Sequence, residues 1–341
     1  MILNYEHQSA AHCETGVSAG MLNYYGITMS EPLVLGIGAG IFFSYMPFLP
    51  LNGGMPIFTF RTTPGNIFAR VMKHLHAQTG RKTFRDEDRA MREMDSLLEQ
   101  GIPVGNVIGV FYLPYFPKEY RAHFNVHNIC VIGKEGDEYT VSDPIPPVVQ
   151  TISYNDLKRV RFSKGSFPTR GKMYWIKKLP SSIPDLRPSI ISGIRSTCRM
   201  MLDIPMPYCG VRGIRLLSKR MPRWESKYGE KGARIYLAQM IRMLEEYGTG
   251  GAGFRYMYAA FLHDAADIMK RDELKDFARR MNDIGDLWRA YALECGRKFK
   301  KRTDATYSDL AKRLAVIADE EKRFFKALRR FTKSVKFEFT D

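Results

Sequence analysis

Three residues carry chemistry by type and position. Cys13 lies in Ala11-His12-Cys13-Glu14-Thr15-Gly16, where a polar stretch gives way to the helix-like run 17–25. His127 opens an apolar, strand-like run, and Asp143, sixteen residues on, closes another just before Pro144. A thiol at a helix start meets unsatisfied N–H groups and the positive end of the helix dipole, and both favour the thiolate. A nearby imidazole takes the thiol proton, and a carboxylate orients that imidazole. The expected chemistry is acyl transfer or hydrolysis through an acyl-cysteine. Cys130, inside the apolar run, reads instead as a small buried hydrophobe.

Neighbouring residues compete for supporting roles. His12 adjoins Cys13, so on a helix the two side chains diverge, and it is a candidate for lining a substrate cleft. His123 is the alternative base if the strand register shifts, and His74 and His76 read as structural. His7 and Gln8, six and five residues before Cys13, are candidates for an oxyanion donor, with the Cys13 backbone N–H as the second.

The elements that must position these groups follow. A helix over 13–25 ends at Gly26, and Ser30-Glu31-Pro32 reads as a helix start. Strands are expected at 41–45, 57–61, 81–84, 104–112, 127–133, 138–143 and 172–178, with helices from Thr63-Pro64 to about 78 and from Asp86 to 100. Helices first and sheet afterwards is an α+β layout, not βαβ alternation. Three prolines between 180 and 188 mark a linker. Beyond it the periodicity is helical over 190–202, 224–247, 254–270, 272–299 and 304–331, a helical bundle. The expected domains are 1–179 and 180–341.

Composition narrows the function classes. The 341 residues are 45% hydrophobic and include five cysteines without regular spacing, which excludes a disulfide framework and a zinc-binding pattern, so no metal is expected. The N-terminus lacks the pattern of a signal peptide, and a cytoplasmic location is expected. Residues 32–60 carry no charge, but Pro32, Gly36, Gly38, Gly40, Pro47 and Pro50 interrupt any continuous span, so no membrane span is expected. Net charge is +16 and uneven: 19 Lys and Arg against 15 acidic residues in 1–180, but 33 against 21 in 181–341. A basic half attracts anionic partners, yet no zinc finger or RNA-recognition signature supports nucleic acid.

Two glycine-rich segments bear on ligands. Gly36-Ile37-Gly38-Ala39-Gly40 lacks the spacing and βαβ setting of a dinucleotide fingerprint and reads as a tight backbone crossing beneath the helix of Cys13. Gly248-Thr249-Gly250-Gly251-Ala252-Gly253-Phe254-Arg255 joins two expected helices. It is either a helix cap or, through Gly250, Gly251 and Arg255, an anion site suited to the phosphate of a phosphopantetheine arm.

The segments HCETGVSAGMLNYYGITMSEPLVLGIGAGIFFSY and YLPYF…HFNVHNICVIG…YTVSDP resemble the amino-terminal domain of the butirosin-biosynthesis H acyltransferases. The linker and helical half, with GTGGAGFR, resemble the helical domain often fused to it. The resemblance implies a papain-like cysteine-enzyme domain with an antiparallel sheet, followed by an all-α domain, with Cys13, His127 and Asp143 as its catalytic residues. It further implies an acyltransferase of secondary metabolism. An acyl or aminoacyl group would move from the thioester of an acidic acyl carrier protein to a small-molecule amine, with phosphopantetheine brought by the donor and no cofactor of the enzyme's own. One departure is that related peptidases place glutamine six residues before the cysteine, where this chain has His7. A cysteine peptidase or amidase on the same residues, and a degenerate papain-like binding module, are the alternatives.

Overall fold

The computed structural model describes residues 1–50 and 56–335. The chain forms two compact units, Met1–Val34 with Ile67–Pro184, and Leu35–Asn66 with the chain from Asp185 onward. Residues 35–66 group with the helical unit and not with the rest of 1–184.

The first unit is built on a six-stranded antiparallel sheet. In chain order its strands are β1 (Gln78–Lys82), β2 (Val104–Ile108), β3 (His127–Glu135), β4 (Glu138–Ser142), β5 (Gln150–Ser153) and β6 (Met173–Lys178). Their order across the sheet is β1-β6-β2-β3-β4-β5. Helix α1 (Cys13–Tyr24) lies against β3. Its small residues Gly16, Ser18, Ala19 and Gly20 give it no apolar stripe, and nine of its twelve residues are buried. A helix buried on most faces needs no stripe. Helices α3 (Asn66–His74), α4 (Glu87–Glu99) and α5 (Tyr154–Arg161) complete the unit. This is the α+β layout expected: a helix bearing the thiol, packed on an antiparallel sheet whose strand ends bear the histidine and the carboxylate.

Most local signals hold. Asp86 caps α4 by accepting from the Arg89 N–H at 2.8 Å, and Ser30 accepts from the Leu33 N–H ahead of α2 (Glu31–Ile37). Helix α3 stops short of 78 because His76 adopts φ +54° and β1 begins at Gln78. The strand expected over 104–112 ends at Ile108. There the Gly109 N–H turns to the Val160 carbonyl, and a loop runs to Val126.

The second unit contains helices α6 (Leu186–Leu202), α7 (Gly210–Arg220), α8 (Trp224–Ile241), α9 (Arg255–Met269), α10 (Glu273–Phe299) and α11 (Tyr307–Ser334). The expected linker ends earlier than Pro188, since Asp185 caps α6 and Pro188 sits in its first turn. Helix α7 was not expected, although Val211, Ile214 and Leu217 give it a buried face. An antiparallel hairpin, residues 41–50 paired with 56–61, contributes Phe43 and Phe60 to an aromatic cluster with Trp288. At Gly36 a Cβ would stand 2.1 Å from the Phe261 ring, and at Gly193 it would meet the Gly36 carbonyl at 2.3 Å. The Gly36 crossing therefore lies against α6 and α9.

Candidate active site

Local chemistry fixes where Cys13 sits. His12 is the N-cap of α1, and its ring accepts from the Thr15 N–H. The Glu31 carboxylate accepts from the backbone N–H of Ala11 (2.9 Å) and His12 (2.7 Å) and from the Thr15 hydroxyl (2.7 Å). Charge-assisted bonds of this kind are stronger than neutral ones, so Glu31 ties down the backbone immediately before the thiol. Glu14 is buried and accepts from the N–H groups of Ile67 and Phe68, satisfying donors that open α3. His12 is thus a capping residue and not the cleft-lining one expected.

The three expected groups come together. Cys13 begins α1, His127 begins β3 in register with Ile108, and Asp143 follows β4. His127 Nε2 lies 2.8 Å from Asp143 Oδ2, and the Cys13 side chain also favours the charged ring. With Nε2 committed to the carboxylate, Nδ1 is the ring nitrogen left for a further partner. All three are buried, Cys13 to 8% exposure, His127 to 5% and Asp143 to 0%. Burial alone would push the imidazole down. The Asp143 charge and hydrogen bond, with a further contribution from Cys13, outweigh it and raise His127 to about 10. The arrangement favours imidazolium beside the sulfur, the setting in which a thiolate is stabilised.

Asp143 is held on every side. Tyr115 donates its hydroxyl to Oδ2 at 3.0 Å, and the Ile145 N–H donates to Oδ1 at 3.0 Å. Burial first, then the adjoining carboxylate, raises Tyr115 well above its ordinary value, so it stays a donor. The next residue, Phe116, sets its ring 5.6 Å from that of His127. Sequence reasoning missed Tyr115, which comes from the loop between β2 and β3. It also missed Asn128, whose amide nitrogen lies 3.7 Å from Cys13 Sγ.

The other expected residues go elsewhere. His7 bonds Ser142 through Nδ1 and the Pro146 carbonyl through Nε2, and the Gln8 carbonyl accepts from Asn23. Their hydrogen bonds thus brace the segment before α1 and do not point to an oxyanion. His123 is exposed and stacks on Phe111 at 3.9 Å, whereas His127 is the histidine that bonds Asp143. Arg255 is fully buried. Its Nε donates to Glu321 Oε1 (2.8 Å), its NH1 donates to the Gly253 carbonyl (2.6 Å), and Trp288 donates to the same Glu321 oxygen (2.7 Å). Gly250 and Gly251 take φ +65° and +86°, and the Gly251 N–H donates to the Thr249 hydroxyl. The glycine loop is a turn that inserts Arg255 into the core, so the expected phosphate site at Gly250, Gly251 and Arg255 is corrected to a structural one.

Among the described residues no group of three or more His, Cys, Asp or Glu is placed to hold a metal, and no helix is long and apolar enough to cross a membrane. The other four cysteines are buried, and burial pushes Cys130 and Cys198 up to about 12 and raises Cys209 and Cys295 as well.

Gly16 lets α1 approach the Asp143–Pro144 turn. A Cβ there would stand 2.6 Å from the Ala10 Cβ and 2.8 Å from the Pro144 Cβ. Alanine normally gains about 1 kcal/mol over glycine inside a helix, but overpacking of this kind costs about 1–3 kcal/mol. Gly16→Ala is expected to lower the urea midpoint and to slow alkylation of Cys13, because the clash separates α1 from the Asp143 turn. A raised midpoint with unchanged alkylation would refute the close contact.

Comparisons with known proteins fit the two-part organisation. Residues 12–144 match the family model described as butirosin biosynthesis protein H, N-terminal, and residues 155–328 match a domain of unknown function, DUF4872. No curated protein matches the chain. A solved structure described as a C39-like peptidase from Bacillus anthracis is 15% identical, with a TM-score of 0.36, covering 52% of this chain and 97% of its own. The second family model alone spans just over half of the sequence, and the chain belongs to the DUF4872 family, joined to an amino-terminal domain of the butirosin biosynthesis protein H type.

Proposed function

We propose that the protein is a cysteine acyltransferase, moving an acyl or aminoacyl group from a carrier-protein thioester to an amine. The observation that carries this reading is the buried contact of His127 with Asp143 at 2.8 Å, beside a sulfur at a helix start. The Cys13 thiolate attacks the thioester carbonyl, forming a C–S bond. As the intermediate collapses, the bond to the donor sulfur breaks, and the departing thiolate takes the proton held on His127. The amine then attacks the acyl-cysteine, His127 accepts its proton, and Cys13 leaves as thiolate. Asp143 keeps the ring oriented through both steps. The amino-terminal match to a butirosin biosynthesis protein favours transfer in a biosynthetic pathway. The excess of basic residues in 181–341 suits an acidic donor protein that brings its own phosphopantetheine.

Intact-mass measurement tests this directly. Wild type incubated with acyl carrier thioesters is expected to gain one acyl mass, and Cys13→Ala none. Adding an amine should discharge the adduct as amide. Discharge to free acid at the same rate without amine would identify a hydrolase, and equal labelling of wild type and variant would remove Cys13 from the chemistry.

A further inference from the structure

Asn128 follows His127 in β3 and is the polar residue in an otherwise apolar stretch of buried strand, NICVI. Its side chain is 2% exposed by residue, so its amide has little access to water and each polar atom needs a partner. Tyr174 donates its hydroxyl to Asn128 Oδ1 at 3.0 Å. The amide nitrogen lies 3.2 Å from the Val126 carbonyl and 3.7 Å from Cys13 Sγ. The Val126 carbonyl settles the orientation of the amide, because a carbonyl accepts only, and a flipped amide would set two oxygens face to face. Two N–H bonds are available, one goes to Val126, and the second is directed at the sulfur.

A neutral thiol is a weak acceptor, whereas a thiolate is a strong one. A buried donor fixed beside the sulfur therefore favours the charged form. Resting on the reading of Cys13 as nucleophile, we propose that Asn128 is a catalytic residue that, together with His127, holds the Cys13 sulfur as thiolate, and that Tyr174 positions its amide. The donor supplies no charge and moves no proton, so its contribution persists when His127 is deprotonated. Tyr174 suits its role because burial, first among the causes, and nearby Glu14 raise its hydroxyl well above the ordinary value, so it remains a donor to the amide oxygen.

The test is the pH dependence of iodoacetamide alkylation at Cys13, read by peptide mass in wild type, Asn128→Leu and Tyr174→Phe, with near-ultraviolet circular dichroism as the check on folding. Wild type should titrate well below an ordinary cysteine. Asn128→Leu should raise the midpoint by about one pH unit, which is about tenfold slower alkylation below the midpoint. Tyr174→Phe keeps the ring on Phe68 and Gly105 and should raise the midpoint less, by about half a unit. A low midpoint that stays unchanged in Asn128→Leu overturns the role of Asn128 and leaves the nucleophile intact. An ordinary midpoint already in wild type overturns the nucleophile itself. If Asn128→Leu does not fold, Tyr174→Phe decides: a raised midpoint supports the proposal, and an unchanged one overturns it.

Discussion

His127→Gln is expected to lower turnover at pH 7 by about 10²–10⁴-fold, the range that a positioned acid–base group contributes. Glutamine keeps a donor for the buried Asp143 carboxylate, so the loss should fall on chemistry and not on folding. It holds no exchangeable proton for the departing thiol and no positive charge beside Cys13. Wild type should keep its activity into alkaline solution, with a falling limb near pH 10, because Asp143 and Cys13 raise the imidazole to about 10 against the cost of burial. That limb belongs to the three coupled groups together. The same shift links to stability. A histidine whose folded value lies above its unfolded value of about 6.5 stabilises the fold fully below that pH, and the contribution is lost as pH rises through about 10. Wild type should therefore lose stability relative to His127→Gln between pH 6 and 10 in urea titrations. A limb near 6.5, or parallel stability profiles, would refute the assignment.

Glu321→Leu should destabilise the helical unit by about 3–5 kcal/mol, the cost of leaving one partner of a buried ion pair alone. Arg255 is buried against Phe60 and Trp288, with its guanidinium 5.7 and 5.2 Å from their rings, and Glu321 supplies the opposing charge. The double variant Arg255→Met with Glu321→Leu should recover most of the loss, because an apolar pair of similar volume replaces buried ions at little or no cost. The Trp288 N–H would then lack its acceptor, which holds recovery about 1–3 kcal/mol short of complete. Urea midpoints of the two singles and the double give the coupling. Additive effects would show that the pair does not act as a unit. Full acyl loading of the double variant would follow from a purely structural role for Arg255.

These two sites also show what the sequence discloses. Cys13, His127 and Asp143 were legible because each stands where one kind of periodicity stops, the thiol at a helix start and the others at strand ends. Tyr115 left no such mark, since its partner lies 28 residues away and its loop has no period. Asn128 did leave one, a polar residue inside an apolar strand, and the question of its hydrogen-bond partners had to be asked. Arg255 stays open between a helix cap and an anion site because a glycine loop before an arginine looks the same whether the charge faces solvent or core. The clue lay on α11, where Glu321 falls in the stripe Leu314, Ile317, Ala318, Phe324, Phe325 and Leu328. A carboxylate in an apolar stripe calls for a buried cation. The uncharged run 32–60 reads as no membrane span, but nothing in its pattern says that residues 35–66 group with the helical unit.

With Cys13 as the proposed nucleophile, its contrast with the other four buried cysteines would make the chain its own folding indicator. The other four thiols are enclosed, and burial raises each above its ordinary value. An electrophile thus has a single address while the structure is intact and gains further ones only as it opens. The number of adducts on one molecule reports integrity, and the speed of the first reports the nucleophile, so both can be read from the same spectrum.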